Sequence, residues 1–170
     1  AGVVLAHRSA AKGDVNQLIE LDNIIGSLKL AREIREASYK MGYAFLNAVM
    51  GIFEPDGVVE IYKQAIEEGK CKGNQAIAFG TVASLYGATE EETVLVFFQS
   101  SLSNLITVAA RLIPLGQIEA QHIITNTWPL LHKAVNIAMA RQAEDLGSTA
   151  VALEIAAMEH ERLYTRLCMS

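Results

Sequence analysis

Histidine, cysteine and serine are the side chains from which this sequence would build a metal site or a nucleophilic centre. Helical metal sites place two ligands three or four residues apart, so that both lie on one side of the helix. No two histidines of this chain have that spacing. His160 lies between two glutamates that point to other sides of a helix, so a solvated or capping histidine is the simpler interpretation. The histidines are His7, His122, His132 and His160, and the cysteines are Cys71 and Cys168.

Other signatures of catalysis do not occur in the sequence. It contains no glycine-rich phosphate loop, no nucleophile elbow and no HExxH motif. Ser100 and Ser103 have no histidine near them along the chain. Cys71 lies between Lys70 and Lys72, which could lower its pKa, but its place in a predicted loop favours an ordinary exposed thiol. The sequence therefore predicts no catalytic residue, no metal site and no cofactor.

Composition limits the class of protein further. The chain has 170 residues, enough for one domain, and 51% of them are hydrophobic against 19% charged, which excludes intrinsic disorder. A net charge of -5 argues against binding to nucleic acid. Two cysteines are too few for a disulfide framework and fit a reducing, cytoplasmic compartment. The apolar surplus requires either an unusually complete core or coverage by other protein chains.

The ends and the most hydrophobic window bear on targeting and membranes. No signal peptide is visible, and the chain begins without methionine in a stretch typical of the tail of a helix, which suggests a processed or truncated chain. Residues 94–113 are strongly apolar but include Gln99, Asn104 and Arg111. Because a membrane span rarely carries so many polar groups, we expect a buried helix of a soluble protein.

Helical spacing dominates the whole chain, and no segment alternates as a strand would. We predict an all-α, single-domain bundle of seven or eight helices over residues 1–170. Asp14 is a predicted N-cap, and Thr89 with Glu92 forms a capping box at the start of a helix that ends near Pro114. Two more helices are expected over 117–127 and 129–143, and a last one from about residue 149.

Two of the predicted helices have side chains of one type repeated along one side. One has apolar residues at steps of three and four: Leu30, Ile34, Ala37, Met41, Ala44 and Ala48. The most apolar helix has a small-polar stripe, which either permits close packing or forms a functional polar surface: Ser100, Ser103, Thr107 and Arg111. Its opposite stripe is expected to be core: Phe98, Leu102, Leu105, Ala109 and Leu112.

The C-terminal segment 159–170 combines apolar and basic side chains. Chain ends usually fray, but tyrosine, arginine and leucine are the types that dominate buried interface anchors. We therefore predict a partner-docking tail in preference to a frayed end. Its candidate anchors are Arg162, Leu163, Tyr164, Arg166 and Leu167.

Three blocks of the sequence together resemble UreF, a family of urease accessory proteins. They are REASYKMGYAFL at 35–46, RLIPLGQ at 111–117 followed by Gln121, and AMEHERLYTRL at 157–167. The blocks occur in the family's order and nearly span the chain. The N-terminal part of the family is absent, and the ending Cys-Met-Ser departs from the commoner aromatic residue and arginine before the serine.

The resemblance implies an all-α, non-enzymatic homodimer that binds the accessory protein UreD (also called UreH) and the GTPase UreG. That assembly would deliver nickel to apo-urease, with a role in controlling the GTPase. The tail anchors would order against UreD, and Val94, Phe97 and Phe98 would belong to a dimer contact. Further residues match family motifs without an implied role: Arg35, Glu36, Arg111, Pro114, Leu115, Gly116 and Gln117.

Two alternatives stay open at the level of sequence. A helical-bundle enzyme would need residues that converge only in three dimensions, such as His122, His132 and a carboxylate. A purely structural oligomer component would associate with itself and not with a GTPase. The small-polar stripe from Ser100 to Arg111 has one further interpretation: it would line a path for nickel in a larger complex.

Overall fold

The computed structural model describes residues 1–53, 57–147 and 150–164. Within these ranges the chain forms eight α-helices and one 3₁₀ turn (Ala143–Asp145), with no strand, which confirms the all-α prediction. The helices are α1 (Gly2–Ala11), α2 (Val15–Leu28), α3 (Arg32–Phe53), α4 (Val58–Glu67), α5 (Gln75–Leu85), α6 (Glu90–Leu112), α7 (Gln117–Ala140) and α8 (Val151–His160).

Helix α5 forms the centre of the bundle. Its sequence, QAIAFGTVASL, has apolar residues on every side, and such a helix is stable in water only when it is surrounded. Helices α1, α3, α4 and α6 pack around it. An aromatic series joins three of these helices: Phe79 of α5 lies 5.8 Å from Phe45 of α3 and 5.5 Å from Phe97 of α6 between ring centroids.

The predicted helix starts are confirmed by their side-chain caps. The Asp14 carboxylate accepts a hydrogen bond from the Gln17 N–H at 2.9 Å. The Thr89 hydroxyl accepts from the Glu92 N–H, and the Glu92 carboxylate accepts from the Thr89 N–H, which is the reciprocal capping box. The N-terminal stretch is also helical, as α1, and is deeply buried.

The prediction of two helices on either side of Trp128 is wrong, because α7 continues through Pro129. Proline lacks the N–H that would bond to the carbonyl of Thr125, and this normally ends or kinks a helix. Here the segment around the proline is exposed, so water can reach that carbonyl. Ala120 before the proline and Leu131 after it are both buried, which holds the two halves of α7 in place.

Helix α3 buries a different side from its apolar stripe. Leu30 and Met41 are 62% and 45% exposed, whereas Ser38 and Gly42 are buried together with Leu46 and Val49. A Cβ on Gly42 would overlap the carbonyl oxygen of Gly73. The hydrogen-bonded Ser38 and the bare backbone at Gly42 thus allow the loop before α5 to approach α3 closely. The apolar stripe of α3 stays largely exposed.

The expectation that α6 is a buried core helix is also wrong. Only 17% of its apolar window is buried, and Leu105 and Leu112 of the expected core stripe are 68% and 49% exposed. Helix α6 has 23 residues against 11 in α5. At about 1.5 Å per residue, its C-terminal half runs past the end of α5 and contacts mainly α7. It is the one described helix with the length and hydropathy of a membrane span.

Replacing Gly42 by alanine should destabilise the fold by about 1–3 kcal/mol, because the added methyl group overlaps backbone atoms that cannot move aside. Gly51 of the same helix has no atom within 4 Å of an added Cβ. Gly51→Ala should therefore raise the free energy of unfolding by about 0.5–1 kcal/mol. Urea unfolding followed by circular dichroism measures both. Equal effects of the two variants would contradict the close contact of α3 with Gly73.

Candidate partner-binding surfaces

A buried carboxylate, that of Asp22 in α2, holds the loop between α4 and α5. One oxygen, Oδ1, accepts from the Tyr62 hydroxyl at 2.9 Å and from the Asn74 N–H at 2.6 Å. The other, Oδ2, accepts from the N–H groups of Lys72 at 2.7 Å and Gly73 at 3.1 Å. Burial, and then the Asp22 charge, raises the pKa of Tyr62, so this hydroxyl stays a donor. These bonds supply the hydrogen bonds that a buried carboxylate requires.

Lys29 extends this network towards the surface. Its ammonium donates to the Ser38 hydroxyl and to the Asn74 side-chain carbonyl, each at 2.6 Å. Burial lowers the pKa of Lys29 to about 8, although the Asp22 carboxylate acts in the opposite direction. Sequence reasoning missed this residue, because its hydrogen-bond partners lie 9 and 45 residues further along the chain.

The predicted exposure of Cys71 is wrong. The residue is 1% exposed, since the hydrogen bonds that Asp22 accepts from the loop draw that loop inward. Burial, followed by the Asp22 charge, raises the pKa of Cys71 to about 12. The neighbouring lysines therefore do not produce a reactive thiolate.

The block at 35–46 has a structural explanation in its described contacts. Arg35 Nη1 donates to the Lys29 carbonyl at 2.8 Å and so caps the end of α2. Glu36 pairs with Arg32 at 3.8 Å on the exposed side of α3. Ser38 and Gly42 face the loop that Asp22 holds.

The block at 111–117 forms the tip of an α6–α7 hairpin. Pro114 lies between the two helices, and the Gly116 N–H donates to the Glu119 carboxylate at 2.9 Å to start α7. Arg111 and Gln117 are exposed at this tip, and Leu115 is half-buried. Large apolar side chains around the tip are also exposed, and we call them the hairpin surface: Leu105, Val108, Leu112, Ile113, Ile118 and Ile123.

The small-polar stripe lies on the open side of α6. Thr107 donates to the Ser103 carbonyl of its own helix at 2.7 Å, and Ser100, Thr107 and Arg111 are exposed. The residues proposed for a dimer contact differ in exposure. Val94 is 1% exposed within the core, whereas Phe97 and Phe98 are half-buried and have surface to offer.

At the C-terminal end, α8 contacts the start of α3 mainly through polar groups. The Glu33 N–H donates to the Glu161 carboxylate at 2.8 Å, and His160 Nδ1 lies 3.0 Å from the Glu33 carboxylate. His160 is thus paired with a carboxylate. Leu163 is 54% exposed, and Arg162 and Tyr164 are also exposed, whereas Arg166 and Leu167 lie outside the described residues.

The histidines proposed for an enzyme do not converge. His122 and His132 are exposed and ten positions apart on α7, about 15 Å along its axis. His132 lies beside Trp128, with ring centroids 6.0 Å apart. Within the described ranges no three side chains of the histidine, cysteine, aspartate or glutamate type are grouped to hold a metal ion.

Comparison with known proteins decides the family. The UreF family model matches residues 1–128. The chain belongs to the UreF family. A relative named urease accessory protein UreF from Actinobacillus pleuropneumoniae serotype 5b is 34% identical over 98% of this chain and 73% of its own length. Proteins of the same name from Haemophilus influenzae strain PittEE and Bacillus sp. strain TB-90 are 36% and 34% identical, each over 98% of this chain.

The UreF resemblance found in the sequence is thereby confirmed. The blocks at 35–46 and 111–117 lie inside the range that the UreF model matches, and the block at 157–167 lies beyond it. The relatives are named as accessory proteins of urease and not as urease.

In this UreF-family chain, Cys71 should be almost inert towards iodoacetamide at pH 8. A thiol with a pKa of about 12 carries little thiolate at that pH, whereas an unfolded cysteine with a pKa of about 8.5 carries much more. We expect alkylation more than about 100-fold slower in the folded protein than in concentrated urea. Mass spectrometry of a Cys168→Ser variant measures Cys71 alone. Equal rates in the two states would show that the loop is open.

Proposed function

We propose that this chain is a non-enzymatic accessory protein of urease maturation. It joins UreD (UreH) and the GTPase UreG in a cytoplasmic complex that delivers nickel to apo-urease, with a role in controlling the GTPase. The observation that carries the proposal is the match to urease accessory proteins over 98% of the chain. The exposed apolar surfaces support it, because contiguous apolar patches on a protein mark sites of association.

The hairpin surface is one proposed site for a partner. It includes Ile113, 55% exposed within the family block at the hairpin tip, and Ile118, 76% exposed directly after that block. On the C-terminal half of α6, Leu105, Val108 and Leu112 are exposed in the described structure, so a partner chain can cover this side without unfolding anything. Burying apolar area of this kind contributes about 25 cal/mol per Å², and the freedom lost on association offsets part of that gain.

The tail and the dimer contact complete the proposal. Residues 1–170 act as one UreF-like domain, and 159–170 dock on UreD through Leu163, Tyr164 and the neighbouring arginines. In the described part of that tail these side chains are already at the surface. A homodimer forms through α6 near Phe97 and Phe98, whereas Val94 contributes from the core.

The experiment that tests the proposal is a reconstitution of urease activation. The full chain is mixed with UreD, UreG, apo-urease, nickel, bicarbonate and GTP, and urease activity is measured with and without the chain. We expect co-purification with UreD and UreG and an activity that depends on the chain. Activation that proceeds equally well without it would contradict the proposal.

Ile118→Glu should weaken binding of the chain to UreD or to UreG by at least about tenfold, since a charge would replace an apolar anchor. The stability of the chain should change by less than about 0.5 kcal/mol, because Ile118 is 76% exposed. Ile61→Glu on α4 is the matched control, with a side chain 51% exposed away from the hairpin. Unchanged affinity of Ile118→Glu for both partners would remove the hairpin surface from the mechanism.

Deletion of residues 163–170 should abolish co-purification with UreD, because it removes the docking anchors. The helical content measured by circular dichroism should stay almost unchanged, because α8 ends at His160 and the deletion begins after it. Normal co-purification of the shortened chain with UreD would show that the tail is not a docking segment.

A further inference from the structure

A groove opens between α2, α3, α5 and α6, beside the outward apolar side of α3. Its volume is about 410 Å³, which lies in the range of sites that bind a ligand or a side-chain cluster. Met41 and Ile34 form one wall and remain 45% and 41% exposed. Its apolar lining consists of Ile25, Ile34, Ala37, Met41, Ala76 and Phe97.

One charged group, the Lys29 ammonium, lies in the wall of this groove. Two of its three N–H bonds are directed at the oxygens of Ser38 and Asn74, which are neutral acceptors. The carboxylate whose charge acts on Lys29, that of Asp22, is bonded to Tyr62 and to the backbone of the loop. Among the described residues, no carboxylate forms an ion pair with Lys29.

The half-buried ammonium of Lys29 has neutral hydrogen-bond acceptors but no carboxylate to balance its charge among the described residues. A carboxylate that arrives together with apolar side chains would pair with the third N–H while the apolar groups leave water. Such a charge-assisted hydrogen bond is stronger than one between neutral groups. A wholly apolar ligand would instead cover the ammonium and leave it without water or a counter-charge, which is costly.

We propose that this groove binds a segment of a partner protein in which an aspartate or glutamate is flanked by apolar side chains. The carboxylate pairs with Lys29, and the apolar side chains cover Ile34, Ala37 and Met41. The inference rests on the proposed function only in taking the partner from the urease maturation assembly. Phe97 closes the groove on the side of α6, so this site adjoins the proposed dimer contact.

The test measures the dissociation constants of the full chain with purified UreD and with purified UreG. Lys29→Met removes the charge but keeps the length of the side chain, and Ala37→Phe fills the groove while leaving the bonds of Lys29 in place. We expect both variants to weaken binding of the same partner by at least about tenfold. Lys29→Arg should stay within about threefold of the original chain. Lys40→Met, on an exposed position of α3, is the matched control and should bind normally.

Normal binding of both partners by Lys29→Met and Ala37→Phe would overturn the groove proposal while leaving the proposed function intact. Dissociation of a homodimer by these variants, with unchanged partner binding, would overturn it too and assign the groove to a second copy of the chain. If Lys29→Met is unstable, Ala37→Phe alone decides. Failure of the original chain to bind UreD and UreG would contradict the proposed function, and with it this inference.

Discussion

The fold depends on the hydrogen bonds that one buried carboxylate, that of Asp22, accepts from the loop between α4 and α5. Burying a charge is costly unless every oxygen is satisfied, and Tyr62, Lys72, Gly73 and Asn74 supply the donors. The loop is thereby drawn against α3 so closely that position 42 has room only for glycine. Cys71 becomes buried as a consequence, and Ser38 turns inward to meet Asn74.

This polar constraint also determines which surfaces remain open. With Ser38 and Gly42 on the inner side of α3, Ile34 and Met41 lie on the flank of that side, where they stay partly exposed and line the Lys29 groove. The central helix α5 is less than half as long as α6. In the C-terminal half of α6, Ile106 is buried, whereas Leu105, Val108 and Leu112 stay exposed and form the hairpin surface with side chains of α7. A chain that is 51% hydrophobic thus uses only part of its apolar residues for its own core. The remainder is available to partner chains.

The sequence predicted what depends on local chemistry. The caps at Asp14 and Thr89 and the helical spacing of the chain are properties of neighbouring residues, and the structure confirms them. The errors arise where distant residues decide: the burial of Cys71 depends on the Asp22 carboxylate, and the exposure of α6 depends on the length of α5. The buried side of α3, on which no prediction was made, depends on a loop more than thirty residues away. Pro129 was predicted to begin a helix, but the tertiary packing of α7 on both sides of it overrides that local preference. The roles of Arg162, Leu163 and Tyr164 depend on a partner chain, so they stay predictions.

We propose that this UreF-family chain acts through surfaces that its own fold leaves uncovered. Amide hydrogen exchange of the full chain, alone and mixed with UreD and UreG, tests it most directly. We expect slower exchange on binding in the C-terminal half of α6, the first turns of α7 and the segment after α8, with the Asp22 loop equally protected in both states. Exchange that is unchanged in all of these segments, under conditions where urease is activated, would contradict it.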